Sequence, residues 1–160
     1  MVKLSNNRWP FKTTHGRSEN RIISNSPKET ERIGEEFACS LNPGDVVALI
    51  GGLGSGKSVF IKGVCRGLNV EDEITSPSFT LIHEYIGGVP VYHFDFYRIR
   101  NSDEMRELGC DEYFFGEGIC LIEWADKIME HLPQKRFEVY IKNFFKTGLE
   151  NRREILFRKL

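Results

Sequence analysis

Long apolar stretches are missing from this chain. The longest uninterrupted run in its 160 residues is VVALI, positions 46–50, far short of the roughly 20 residues a membrane-spanning helix needs. No membrane association is therefore expected. The first residues also carry no charged-then-apolar stretch of the secretory kind. Cysteine is scarce and scattered: Cys39, Cys65, Cys110 and Cys120 form no CxxC pair and share no spacing. They read as reduced, mostly buried thiols of a cytoplasmic protein, not as a disulfide framework. Net charge is nearly absent too, with 22 basic and 23 acidic residues giving −1. A protein that clamps nucleic acid by itself usually presents a basic domain or stripe, so DNA is not an expected partner. One segment departs from this balance. Within residues 1–21, Lys3, Arg8, Lys12, Arg17 and Arg21 stand against the single acid Glu19. That segment reads as a basic, poorly ordered tail, with an RNA-touching tail or a short targeting segment as the alternatives. Residues 22–160 then make one domain, large enough for an ordinary core.

The order of local signals argues for an α/β fold. RIIS (21–24) suits a short edge strand. In the following SPKE, Ser26 can cap a helix, Pro27 suits its first position, and Glu29 can reach back to close a capping box. Ile33, Phe37 and Leu41 recur at helical spacing until NPGD (42–45) turns the chain into VVALI. A glycine-rich turn leads to KSVFIKGVCRGL, again helical, with Ile61, Val64 and Leu68 on one face. TLIHEY and VPVYHFDFY flank an IGG turn and predict a β-hairpin. Asn101, three residues before Glu104, starts another helix. GICLIEW is a short buried strand, ADKIMEHL a helix, and FEVYIKN with REILFRKL a final strand pair. Helices interleaved with buried strands imply a three-layer domain with a mixed, partly parallel central sheet.

The chemistry concentrates in the turn after VVALI. Gly51, Gly56, Lys57 and Ser58 fit the pattern G-x-x-x-x-G-K-[ST], placed between a strand and a helix as a phosphate loop requires. Glycines let backbone N–H groups turn inward around an anion, and the helix starting near Lys57 adds its positive end. The loop from Gly52 through Leu53, Gly54, Ser55, Gly56 and Lys57 to Val59 would cradle the phosphates. Lys57 supplies a point charge, and the Ser58 hydroxyl is suited to ligate Mg²⁺. The fold expected is thus P-loop NTPase-like.

Turnover needs carboxylates near the metal. Asp95 in VYHFD and Glu123 in CLIE both close apolar strands; one could bind Mg²⁺ while the other orients water, and the sequence leaves open which does which. The lesser alternative, for either acid alone, is a strand-end carboxylate in a salt bridge. His93, two residues before Asp95, faces the same way and is expected to pack or hydrogen-bond near that acid. Trp124 suits a core or wall position. Arg98 could stabilise charge at the γ-phosphate or sit in a surface ion pair. The guanine-specifying N-K-x-D and the switch D-x-x-G are both absent, which favours ATP. A small-molecule kinase shares the loop and the size, though no clear lid segment is visible. A binding module driven by nucleotide, without required hydrolysis, is the non-enzymatic alternative.

GLGSGKS, TSPSFTLIHEY, HFDFYR and LIEWADK, in this order and spacing, resemble the TsaE (YjeE) family over roughly residues 22–140. The resemblance implies a slow Mg-dependent ATPase that associates with the TsaB–TsaD heterodimer in making tRNA threonylcarbamoyladenosine at position 37, ATP hydrolysis resetting that complex. Contact with tRNA would then be indirect, through the partners. It also implies that TSPSF (75–79) lies by the γ-phosphate as a switch, with hydroxyls from Thr75, Ser76 and Ser78, and that Trp124 is functional. Asp95 and Glu123 would serve metal and water. Four substitutions depart from the family pattern. Gly52 replaces the aspartate usual in the family's loop, Ser58 and Ser78 replace threonines while keeping the hydroxyl, and Ser55 replaces alanine. The basic head before residue 22 lies outside the resemblance.

Overall fold

The computed structural model describes residues 12–14 and 17–160. Strand β1 (Lys12–Thr14) and strand β2 (Arg17–Ser24) lead into helix α1 (Pro27–Ala38). Ser26 caps that helix, its Oγ accepting from the Glu29 N–H at 3.1 Å. Glu29 reaches back one residue further than expected, to the N–H of Asn25 at 2.8 Å. The VVALI segment is strand β3 (Val46–Ile50), followed by helix α2 (Lys57–Gly67). The hairpin is β4 (Ile82–Ile86) and β5 (Pro90–Asp95). Helix α3 (Ser102–Glu107) starts on Asn101, whose Oδ1 accepts from the N–H groups of Asp103 and Glu104. Helix α4 (Cys110–Phe114) precedes strand β6 (Ile119–Glu123), and β7 (Phe137–Phe144) with β8 (Leu149–Lys159) ends the chain.

Eight strands form one sheet in the order β1-β2-β8-β7-β3-β6-β5-β4. β7, β3, β6 and β5 run parallel in its centre, and the flanking pairs are antiparallel. Central parallel strands are covered on both faces, which is why VVALI is continuously apolar rather than alternating. Val47 and Leu49 face a core built with Ile33 and Phe37 of α1 and Phe60, Ile61 and Val64 of α2. Val46 and Ala48 face a second core with Met105, Phe114 and Ile128. The molecule is therefore the three-layer α/β domain expected, with a mixed sheet.

Helices α1 and α2 touch through glycine. A Cβ at Gly34 would lie 2.3 Å from the Phe60 carbonyl oxygen, and one at Gly67 would lie 2.6 Å from that of Glu35. Glycine here serves close approach of the two helices along α2.

Three expectations need correction. RIIS does not form an edge strand: β2 lies between β1 and β8, and it begins at Arg17. The boundary drawn at residue 22 is accordingly too late, because residues 12–14 and 17–21 pair within the sheet. The rest of the expected tail, 1–11 and 15–16, lies outside the described residues. ADKIMEHL is not an α-helix but two short 3₁₀ turns, Ala125–Lys127 and Met129–His131. Trp124 enters them in the left-handed region at φ 58, Ile128 interrupts them at φ −135, and Pro133 holds Leu132 extended at ψ 150.

Candidate functional site

The carboxyl ends of β3, β5 and β6 bring the glycine loop, Asp95 and Glu123 together, where open α/β sheets place their ligands. Gly54 and Gly56 take φ of 70 and 103, a region that side chains disfavour. A Cβ at Gly51 would meet the Ile141 carbonyl oxygen at 2.5 Å. Helix α2 starts directly on this loop with no side-chain cap on its first N–H groups, the arrangement that receives anions. Leu53 is 76% exposed at the loop's tip, and Ser55 is buried beneath it.

Lys57 is only 5% exposed. Its ammonium donates to the carbonyls of Gly51 (2.7 Å) and Gly52 (3.0 Å) and to Ser55 Oγ (3.4 Å). It also sits 4.1 Å from the centroid of the Trp124 ring, a cation–π contact. Burial lowers the Lys57 pKa, and the negative charges of Glu123, Asp95 and Asp126 partly oppose that shift. Trp124 stacks in turn against Tyr97, ring centroids 4.9 Å apart. It is therefore a wall of the site in contact with the loop lysine.

The two acids occupy register partners on adjacent parallel strands, Asp95 opposite Glu123, yet their surroundings differ. Ser58 Oγ donates to Glu123 Oε1 at 3.2 Å, joining the phosphate loop to β6. Asp95 bonds elsewhere. Its Oδ2 accepts from Ser76 Oγ (3.1 Å) and Ser78 Oγ (3.4 Å), and its Oδ1 from the Tyr97 N–H (2.9 Å). Asp95 thus ties the 75–79 loop to the site. Thr75 is not gathered with the other hydroxyls. Its Oγ1 lies 3.3 Å from His83 Nδ1, and its carbonyl accepts from the Tyr85 hydroxyl at 3.2 Å. His93 is buried but does not bond Asp95; its Nε2 lies 2.9 Å from Glu123 Oε1. Arg98 stacks on the exposed ring of Phe79, 4.4 Å from its centroid, and makes no ion pair with the described residues.

Sequence reasoning missed the outer side of the loop. Arg153 of β8 donates to the Gly54 carbonyl at 3.3 Å and lies over the Phe145 ring. With Pro27, Thr30, Gly56, Val59 and Asn151 it lines a small cleft beside the start of α2. No motif signals Asn151 or Arg153, because β8 reaches the loop only through the fold. Among the described residues no three His, Cys, Asp or Glu side chains converge as a metal cage. The donors beside the loop are a hydroxyl and a carboxylate, hard oxygens that suit Mg²⁺ when phosphates and water complete its shell.

The model of the family described as threonylcarbamoyl adenosine biosynthesis protein TsaE matches residues 24–154. This chain belongs to the TsaE family. The tRNA threonylcarbamoyladenosine biosynthesis protein TsaE of Bacillus subtilis (strain 168) is 47% identical over 133 residues, covering 82% of this chain and 80% of its own length. The protein of the same name from Treponema pallidum is 40% identical over 114 residues, 71% of this chain and 84% of its own. The crystal structure of Bacillus subtilis YdiB superimposes with a TM-score of 0.73 at 41% identity, over 91% of this chain and 88% of that one. The fold is accordingly the P-loop NTPase-like fold of TsaE, and the family's place is in tRNA threonylcarbamoyladenosine biosynthesis. No helix among the described residues is long and apolar enough to cross a membrane.

Proposed function

We propose that this TsaE-family chain is a Mg-dependent, cytoplasmic ATPase. It acts as an accessory subunit of tRNA threonylcarbamoyladenosine synthesis, binding a TsaB–TsaD heterodimer and resetting it by hydrolysis, with tRNA met through that complex. The observation that carries the reading is the 3.2 Å contact between Ser58 Oγ and Glu123 Oε1 at the mouth of the glycine loop. It pairs the hydroxyl of a G-x-x-x-x-G-K-S loop with the acid closing the neighbouring strand, the two protein groups that hold Mg²⁺ in phosphate-loop enzymes.

In this reading Gly52 through Val59 wrap the phosphates with backbone N–H groups, and Lys57 leaves the loop carbonyls to meet the β- and γ-phosphates. Ser58 and Glu123 hold the Mg²⁺, which neutralises phosphate charge when bound. Asp95 takes the second role rather than the metal. Its carboxylate already gathers Ser76 and Ser78, so it positions the 75–79 loop and the attacking water together. Trp124 walls the site beside Lys57. The cleft lined by Pro27, Val59 and Arg153 offers the nucleotide's base a place beside α2. Slow turnover follows from a switch loop whose hydroxyls bond Asp95, so that a partner is needed to reorder it.

The test is calorimetry of Mg-ATP binding, with phosphate release alongside, on Lys57→Ala and Asp95→Ala. Lys57→Ala should lose most of the affinity, whereas Asp95→Ala should keep binding and lose hydrolysis, by roughly 10²–10⁴-fold for a positioned acid or base. Equal affinity of Lys57→Ala and wild type would overturn the phosphate-loop assignment.

A further inference from the structure

His93 stands where an apolar side chain would be the default. Along β5, Val91, His93 and Asp95 alternate onto the sheet face that α2 covers, as Ile119, Leu121 and Glu123 do along β6. Val91, Ile119 and Leu121 belong to the core that includes Phe60, Ile61 and Val64 of α2. His93 itself is 1% exposed, and its backbone register partner is Leu121. Its Nδ1 is buried with no hydrogen-bond partner among the described residues. A buried polar atom left unpaired costs free energy that a valine or leucine would not incur. Among the described residues the ring bonds one group, Glu123 Oε1, at 2.9 Å from Nε2.

We propose that His93 is the positioning residue for Glu123, holding its carboxylate toward Ser58 so that the two can grip a divalent cation. An ionised carboxylate only accepts, so the Nε2–H donates to Oε1. That same oxygen accepts from Ser58 Oγ, while Oε2 takes no hydrogen bond from the described residues. A cation at the Ser58 oxygen would take over the Ser58 contact. The bond from His93 comes from the buried interior of the sheet and does not compete with it. The imidazole therefore keeps Glu123 oriented whether or not Ser58 is bonded to it. Outer partners of this kind change metal affinity by roughly 10–100-fold when removed.

The inference rests on the Mg-nucleotide reading, and its test separates the two. ADP binding to the full chain is measured by calorimetry with and without Mg²⁺, and Mn²⁺ binding by electron paramagnetic resonance, with thermal melting alongside. His93→Leu should raise the divalent-ion concentration needed for metal-dependent ADP binding by roughly 10–100-fold, leaving metal-free ADP affinity unchanged. His93→Gln, which can place an N–H near the position of Nε2, should recover much of the loss. If His93→Leu does not fold, His93→Asn replaces it, its amide being too short to reach Glu123. A wild-type metal requirement in any folded variant without that donor overturns the proposal, as does a requirement that follows melting temperature and not the donor. Absence of any metal dependence in the wild type would instead overturn the Mg-nucleotide reading, and the role of His93 with it.

Discussion

Replacing Gly63 by alanine would place a Cβ 1.9 Å from the carbonyl oxygen of Glu31, 2.8 Å from its carbonyl carbon and 3.0 Å from the Glu35 nitrogen. All three are backbone atoms of α1, so no rotamer change relieves the clash. The helices must part by more than an ångström, loosening the packing of Phe37 on Phe60, whose ring centroids now lie 5.7 Å apart. Overpacking of this kind costs about 1–3 kcal/mol, and a clash with rigid backbone belongs at the upper end. Alanine's better helix propensity returns about 1 kcal/mol. The net loss is about 2 kcal/mol, a fall in melting temperature of roughly 4–8 °C for a domain of this size. Circular dichroism on heating measures it, with Gly52→Ala as the control because a Cβ there meets nothing within 4 Å. Because α2 begins with Lys57 and Ser58, the same displacement should weaken ADP binding. A Gly63→Ala protein that melts at or above the wild-type temperature would refute the reasoning.

Gly52→Asp, which restores the residue usual in the family's loop, should change stability by no more than about 0.5 kcal/mol, since its Cβ points into open space; a large fall in melting temperature would contradict that geometry. Thiol reactivity should divide the cysteines. Cys39 is exposed, while burial pushes the Cys65 and Cys120 thiols up to about 12 and Cys110 to about 11. One thiol should therefore label quickly at neutral pH and three only on unfolding. The raised thiols also set a pH dependence. Folded chains keep these protons where unfolded ones release them, so stability is intact below pH 9 and falls as pH rises from 9.0 toward 12. Each of these thiols contributes about 1.4 kcal/mol per pH unit in that window, readable from denaturant midpoints.

Much of this was legible in the residues because it is local. VVALI, the G-x-x-x-x-G-K-S loop and the capping serine before Pro27 each act within a few positions. The strand-end acids Asp95 and Glu123 were visible for the same reason, but not their division of labour. That division depends on which hydroxyls the fold brings to each carboxylate: Ser76 and Ser78 from a loop nearby, Ser58 from the loop after the adjacent strand β3. His93 was expected near Asp95 because they are neighbours in sequence, yet its Nε2 reaches diagonally to Glu123 on the adjacent strand. Residues 17–20 carry no apolar alternation, and 18–20 pair with β8, from the far end of the chain. ADKIMEHL suggested a helix after Trp124. The left-handed backbone at Trp124 and Pro133 downstream leave only two 3₁₀ turns there. Arg153 had no signal at all, being placed beside Gly54 only by the closing hairpin.

The most direct test of the central claim is phosphate release from Mg-ATP by the purified chain, alone and with a TsaB–TsaD complex and tRNA added. Slow release that rises when the complex is added, and that Glu123→Ala abolishes, is the expected result. No release in either condition, with no complex formed in the presence of ATP, would contradict the accessory-ATPase reading.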